Sequence, residues 1–176
     1  PMDRKRLGWW SPVTRGIIPL DAVHISRSLQ KNLTQFSVRV DTCFTDVMKA
    51  CGSSARPHGW INNEFIDAYT LLHRSGWANS VEVFLDEQLV GGIYGVRIGR
   101  LFAGESMFHT HTDASKTALV ALAALLDAAG VVLFDVQWTT EHLKSLGAVD
   151  ITRDSYLRLL KEAQKSPILR QTETHG

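Results

Sequence analysis

The sequence predicts an α/β protein built around one mixed (α+β) sheet, and three observations carry that prediction. First, SVEVFL (80–85), QLVGGIYGVRI (88–98) and LFAGESMF (101–108) read as three strands joined by the two-residue links Asp86–Glu87 and Gly99–Arg100, an antiparallel meander. Second, TALVALAALLDAAG (117–130) has helical periodicity and ends on Gly130. Third, VVLFDVQ (131–137) is a continuous apolar run after that helix, the mark of a strand buried on both faces and parallel to its neighbour.

The remaining elements follow in chain order. Residues 1–25 read as an irregular segment punctuated by Pro12, Gly16 and Pro19. HISRSLQKNL (24–33) reads as a short helix and FSVRV (36–40) as a strand, with Asp41 or Thr42 capping a helix that runs to about Cys51. The loop GSSARPHG precedes an amphipathic helix over 62–76, with Phe65, Ala68, Tyr69 and Leu72 on one face. Thr112, Asp113 and Ser115 are the cap candidates for the helix over 117–130. TTEHLKSLG (139–147) and TRDSYLRLLKEAQ (152–164) read as the last two helices, followed by a frayed tail. The domain plan is a shortened N-terminal segment over 1–25, the main domain over 26–165 and a flexible tail over 166–176. A meander, a crossover helix and a buried parallel strand form the layout of a GNAT-like acyltransferase fold.

Composition narrows the function classes. The 176 residues (19.6 kDa) suit one domain, and 44% apolar against 21% charged residues excludes wholesale disorder. No run reaches the ~18 apolar residues of a membrane span, and the basic start lacks a signal-peptide apolar core. Cys43 and Cys51 sit too far apart along a helix to bridge, and two free thiols fit a reducing cytoplasm. The net charge of +1 hides a polarity. Residues 1–60 carry nine Lys/Arg against four Asp/Glu, a net of +5, whereas residues 61–150 carry five against eleven, a net of −6. A basic face for a polyanion and an acidic cleft for a cation fit that pattern, as does plain surface solvation.

The chemistry-bearing residues are few. The loop before the long helix, HTHTDAS, has no glycine and carries Asp113 where phosphate would sit, which argues against acetyl-coenzyme A as donor. His109 and His111 lack a third ligand at a telling spacing, so no metal is expected. Glu105 and Asp135 are carboxylates inside apolar strands, where charge is costly unless paired or functional. Asp135 and Gln137 share a strand face, and a carboxylate beside an amide can orient an incoming amine. Structural anchoring is the competing reading of both acids. Phe102, Met107, Leu119, Leu122, Leu126 and Phe134 form either an apolar pocket or plain core. Trp9, Trp10, Arg15, Arg27, Lys31 and Trp60 are what stacking on an unpaired base with phosphate contact needs, or else anchor a docked appendage.

At this point the sequence resembles the bacterial leucyl/phenylalanyl-tRNA–protein transferases. The blocks WWSP (9–12), HISRSL (24–29), GWI (59–61), AYTLLH (68–73), SVEVF (80–84), LVGGIYGV (89–96), LFAGESMF (101–108), DASKTALVAL (113–122), FDVQ (134–137), HLKSLGA (142–148) and Tyr156–Leu157 all look like that family's, in order and at its spacings. The resemblance implies a GNAT-like domain related to the Fem peptidyltransferases. It implies transfer of Leu, Phe or Met from aminoacyl-tRNA to a protein beginning with Arg or Lys, creating a degradation signal. It implies that Asp135 and Gln137 handle the acceptor α-amine and that Glu105 lies near the acceptor's cationic end. Ile93, Phe102, Met107, Leu119, Leu122, Leu126 and Phe134 match the donor side-chain pocket, which takes Leu, Phe or Met and rejects β-branched Ile and Val by shape. Trp10 and Trp60 match the aromatics that hold the terminal adenosine, and Arg27 and Lys31 fall in the basic stretch that meets the acceptor stem. The implied protein is a cytoplasmic monomer without metal or organic cofactor, because the ester is already activated for aminolysis. The block expected before WWSP is largely absent, hence the shortened N-terminal segment. Two alternatives stay open: transfer to a small-molecule amine, and a non-catalytic tRNA- or peptide-binding module.

Overall fold

The structure is a computed structural model and describes residues 11–53 and 60–165. Trp9, Trp10, most of the loop before Trp60 and the tail over 166–176 lie outside the described residues. Fourteen described elements follow in order: β1 (Thr14–Ile17), a 3-10 turn (Leu20–Ala22), α1 (Arg27–Leu33), β2 (Ser37–Val40), α2 (Phe44–Cys51), α3 (Asn63–Arg74), β3 (Ala78–Leu85), β4 (Gln88–Ile98), β5 (Leu101–His109), α4 (Ala114–Ala128), β6 (Leu133–Gln137), α5 (Glu141–Lys144), β7 (Val149–Thr152) and α6 (Arg153–Gln164). The sheet has seven strands in the order β2-β3-β4-β5-β6-β1-β7. β5 and β6 pair in parallel and the other neighbours antiparallel, so the sheet is mixed as the sequence predicts.

The β3–β4 hairpin turns on Asp86 and Glu87, both at positive φ (46° and 61°), the backbone that a two-residue turn matching strand twist requires. Alternation along the strands then splits the core in two. Val81, Val83, Ile93, Phe102 and Phe134 point to one face, where α4 covers them with Ala118, Leu119, Leu122 and Leu126. Tyr94 and Phe108 point to the other face, under Phe44, Val47 and Met48 of α2 and Ile66, Tyr69 and Leu72 of α3. Nearer β6, Leu101 and Leu133 meet Ala163 and the apolar side of α6. Gly91 lets α4 approach, since a Cβ there would lie 2.6 Å from Ala114 Cβ. At Gly95 a Cβ would lie 2.3 Å from the Ala103 carbonyl oxygen, at a bulge between β4 and β5.

Several local expectations need correction. Residues 14–17 are not irregular: they form β1, between β6 and β7. α5 covers only Glu141–Lys144 of the helix expected over 139–147, and β7 occupies the link before the last helix, which starts at Arg153 rather than 152. α4 starts at Ala114 rather than 117, and Asp113 enters it at φ 65° without a capping hydrogen bond. Neither Asp41 nor Thr42 caps α2: Cys43 stands there without a side-chain bond. Asp41 instead accepts from the Ser80 N–H, and Thr42 donates to the buried Glu82 carboxylate. Ala68 is exposed, and Ile66 takes its place on the buried face of α3.

Candidate active site

A cleft opens where the parallel pair parts. β5 and β6 pair at Leu101–Leu133, Phe102–Phe134 and Ala103–Asp135, and there the ladder ends. Beyond it a side-chain bond spans the gap, from Gln137 Nε2 to the Gly104 carbonyl at 2.8 Å. The cavity there is about 360 Å³ and open at one side, within the usual range for a small ligand. Gly104–Met107 of β5 form one wall, and Val136, Gln137 and Trp138 the other. Ile93 lies on β4, Thr140, His142 and Leu143 on or just before α5, and Trp60 at the start of the α3 segment.

Two bulges shape these walls. Tyr94 pairs with Ser106 and Gly95 with Gly104, so Glu105 is the extra residue of β5. A bulge re-aims the side chain it carries, and Glu105 turns into the cavity wall. Its carboxyl accepts a hydrogen bond from Tyr69 of α3. Burial raises the Glu105 pKa, and the Asp135 charge adds to the rise, while the Tyr69 bond and the Arg15 charge oppose it. On the other wall, Gly16 pairs with Gln137 and Ile17 with Asp135, leaving Val136 as the extra residue.

Asp135 is 1% exposed and does not line the cavity. Each of its oxygens takes two close donors. Oδ1 accepts from Arg15 Nε at 2.9 Å and the Gln137 N–H at 2.8 Å, and Oδ2 from Arg15 Nη2 at 2.7 Å and the Tyr156 hydroxyl at 2.7 Å. With its lone pairs filled, the carboxylate is an anchor for the Gln137 backbone. Burial and then the bond to Asp135 push the Tyr156 hydroxyl well above its usual pKa. Arg15 also stacks over the Tyr156 ring at 5.3 Å. Arg15, offered by the sequence for phosphate contact, is paired with Asp135.

Gln137 sits at φ 64°, a strained backbone for a residue other than glycine. Its side-chain amide nitrogen is spent on Gly104, which leaves the carboxamide oxygen as an acceptor in the wall.

The apolar set divides. Ile93 and Met107 line the cavity, whereas Phe102, Leu119, Leu122, Leu126 and Phe134 lie in the core beneath it, with Phe102 and Phe134 edge to face at 5.8 Å. Trp60 lines the cavity and is held edge-on by Phe65 at 5.2 Å. Arg27 and Lys31 are exposed one turn apart on α1 and do not line the cavity. Among the described residues, sequence reasoning did not place Arg15 and Tyr156 around Asp135, nor name Leu143, His142 or Trp138, which is 66% exposed at the cavity, as site residues. A buried aspartate signals that a cation must exist, but not which one.

The arrangement of sheet and helices is that of the solved structure of FemX, with a TM-score of 0.59 at 11% identity over 87% of this chain and 65% of that one. The class is thus the GNAT-like acyltransferase fold, with the cleft at the parting of its parallel strands. Residues 17–161 match the family model described as leucyl/phenylalanyl-tRNA protein transferase. Proteins of that name from Paramagnetospirillum magneticum, Hyphomonas neptunium and Herpetosiphon aurantiacus are 47%, 48% and 47% identical over 92%, 93% and 93% of this chain. The chain spans 79%, 65% and 86% of their lengths. The chain belongs to the leucyl/phenylalanyl-tRNA–protein transferase family. No helix among the described residues is long and apolar enough to cross a membrane.

Proposed function

We propose that this chain takes leucine, phenylalanine or methionine from the 3′ end of an aminoacyl-tRNA and joins it to the α-amine of a protein that begins with Arg or Lys. The product N-terminus marks that protein for degradation. The observation that carries the reading is the make-up of the cleft, with apolar Ile93, Met107 and Leu143 beside the hydrogen-bonding Gln137 and the acidic Glu105. Ile93 and Met107 contact the donor side chain. Phe102, Leu119, Leu122, Leu126 and Phe134 are the packed floor that fixes its shape. Gln137 offers its carboxamide oxygen to the attacking amine, and Asp135 positions Gln137 through the backbone. Glu105 faces the cationic side chain of the acceptor. Trp60, with Trp10, stacks on the terminal adenosine, and Arg27 and Lys31 meet the backbone of the acceptor stem. The tRNA ester is already activated, so orienting the amine and moving its proton is the chemistry left to the protein. The protein works as a cytoplasmic monomer with no cofactor.

The test is transfer of labelled leucine from Leu-tRNA to an Arg-initiated peptide, with an Ala-initiated peptide as control. Transfer to the Arg peptide alone is expected. Transfer to a small amine with none to peptides sinks the reading.

Glu105→Gln gives a second check with two readouts. Loss of a charge-assisted contact is worth ~1.5–3 kcal/mol, so kcat/KM for the Arg peptide should fall roughly 10- to 150-fold. Stability should move the other way. A raised folded-state pKa means that the protonated acid favours folding. That contribution is full below the unfolded value near 4.5 and is lost as pH rises through the folded value. At neutral pH the variant should therefore melt above the wild type, with the gap closing in acid. A lower melting temperature at pH 7.5 would contradict this.

A further inference from the structure

Among the described residues lining the cleft, the side chains with an acid or imidazole group are Glu105 and His142. Glu105 is engaged by Tyr69. His142 is half-buried in the first turn of α5, and its Nε2 is buried with no hydrogen-bond partner. A buried ring nitrogen left unpartnered costs folding free energy and calls for an explanation. Thr140 caps this short helix by accepting from the Leu143 N–H, and Thr140 and His142 both line the cavity.

The charged groups around the ring are otherwise committed. Asp113 at the start of α4 is bound by Asn32 and Lys116. His109 at the end of β5 is bound by Ser115. Glu141 and Lys144 of α5 pair with each other. Burial first, then the charges of Lys116 and His109, hold the His142 pKa below its usual value, with Asp113 opposing. The ring is therefore a free base at neutral pH.

We propose that His142 is the proton carrier of the transfer. The inference rests on the function proposed above. The acceptor amine nitrogen forms a bond to the ester carbonyl carbon, and the nitrogen's proton passes to the imidazole. As the bond from that carbon to the ribose 3′ oxygen breaks, the imidazole returns the proton to the oxygen. The peptide bond and the ribose hydroxyl are the products, and the imidazole ends unchanged. Gln137 accepts a hydrogen bond from the amine but cannot take its proton, and Asp135 lies behind it with its lone pairs filled.

The experiment is the pH profile of kcat/KM for leucine transfer from Leu-tRNA to an Arg-initiated peptide. The acceptor α-amine must lose a proton below about pH 8, giving a slope of one. The wild type should steepen to a slope of two below the His142 pKa. His142→Gln, made in a Glu105→Gln background so that the Glu105 titration is removed, should lower the rate on the order of 100-fold and keep a slope of one throughout. Lys116→Met removes a positive neighbour, so it should move the wild-type break to higher pH while leaving the rate above pH 8 within about twofold. A slope of two that persists when His142→Gln is added to Glu105→Gln, or a break unmoved by Lys116→Met, overturns this proposal alone. A wild-type chain that transfers to no peptide overturns the proposed function as well.

Discussion

Asp135→Ala should cost about 3–5 kcal/mol of unfolding free energy and abolish transfer. The reason lies in what the substitution leaves behind. Arg15 loses a bidentate partner at 2.7–2.9 Å, and Tyr156 and the Gln137 N–H lose their acceptor. The Arg15 side chain is 26% exposed, so solvent relieves part of its loss and the lower end of the range is the better expectation. The same carboxylate ties β6 to β1 and α6, so the fault spreads into the sheet beyond the cleft. Urea denaturation measures the effect, and a loss below 1 kcal/mol would show that the pair contributes little. Joint replacement by apolar residues, Arg15→Met with Asp135→Leu, separates folding from function. A buried ion pair exchanged for packed hydrocarbon is often neutral in stability, so the double variant should regain most of the loss. It should still fail to transfer, because nothing then accepts from the Gln137 N–H. Transfer recovered along with stability would deny Asp135 any positioning role.

The parts of this molecule that were legible in the sequence are those where local pattern and tertiary environment agree. The meander over β3–β5 follows from alternation and two turn dipeptides, and the parallel β6 from an unbroken apolar run. β1 and β7 were hidden because TRGI and VDIT have four residues each: TRGI does not alternate, and the alternation of VDIT is too short to tell from a helix start. They become strands because the edge of β6 offers unpaired backbone groups to β1, and β1 in turn to β7. Glu105 and Asp135 stood out because charge in an apolar strand demands a reason. Their partners did not, since Arg15 reaches Asp135 across 120 residues of sequence. The apolar pocket set was mixed with core because periodicity reports burial and not where a sheet opens. The opening depends on where the β5–β6 ladder stops and on bulges at Glu105 and Val136, a pairing register no single strand encodes.

Gln137 carries the second large prediction, in which stability and activity should separate. At φ 64° a side chain with a Cβ costs ~1–2 kcal/mol relative to glycine. The bond from Nε2 to the Gly104 carbonyl offsets ~0.5–1.5 kcal/mol of that. Gln137→Gly relieves the strain and loses the bond, so its stability should stay within about 1 kcal/mol of wild type. Gln137→Ala keeps the strain and loses the bond, so it should be less stable than the glycine variant by about 1 kcal/mol. Both remove the carboxamide oxygen that meets the amine, so both should lose transfer by roughly 10- to 150-fold, with affinity for Leu-tRNA little changed. Denaturation of the two variants side by side, with single-turnover transfer on each, checks the scheme. An alanine variant as stable as the glycine variant would mean that the backbone there is not strained. Transfer retained within threefold in either would mean that the amine finds its acceptor elsewhere in the cleft. A residue kept in a costly conformation that only its chemistry justifies is the mark of a working site, and of the described residues lining this cleft only Gln137 has that backbone.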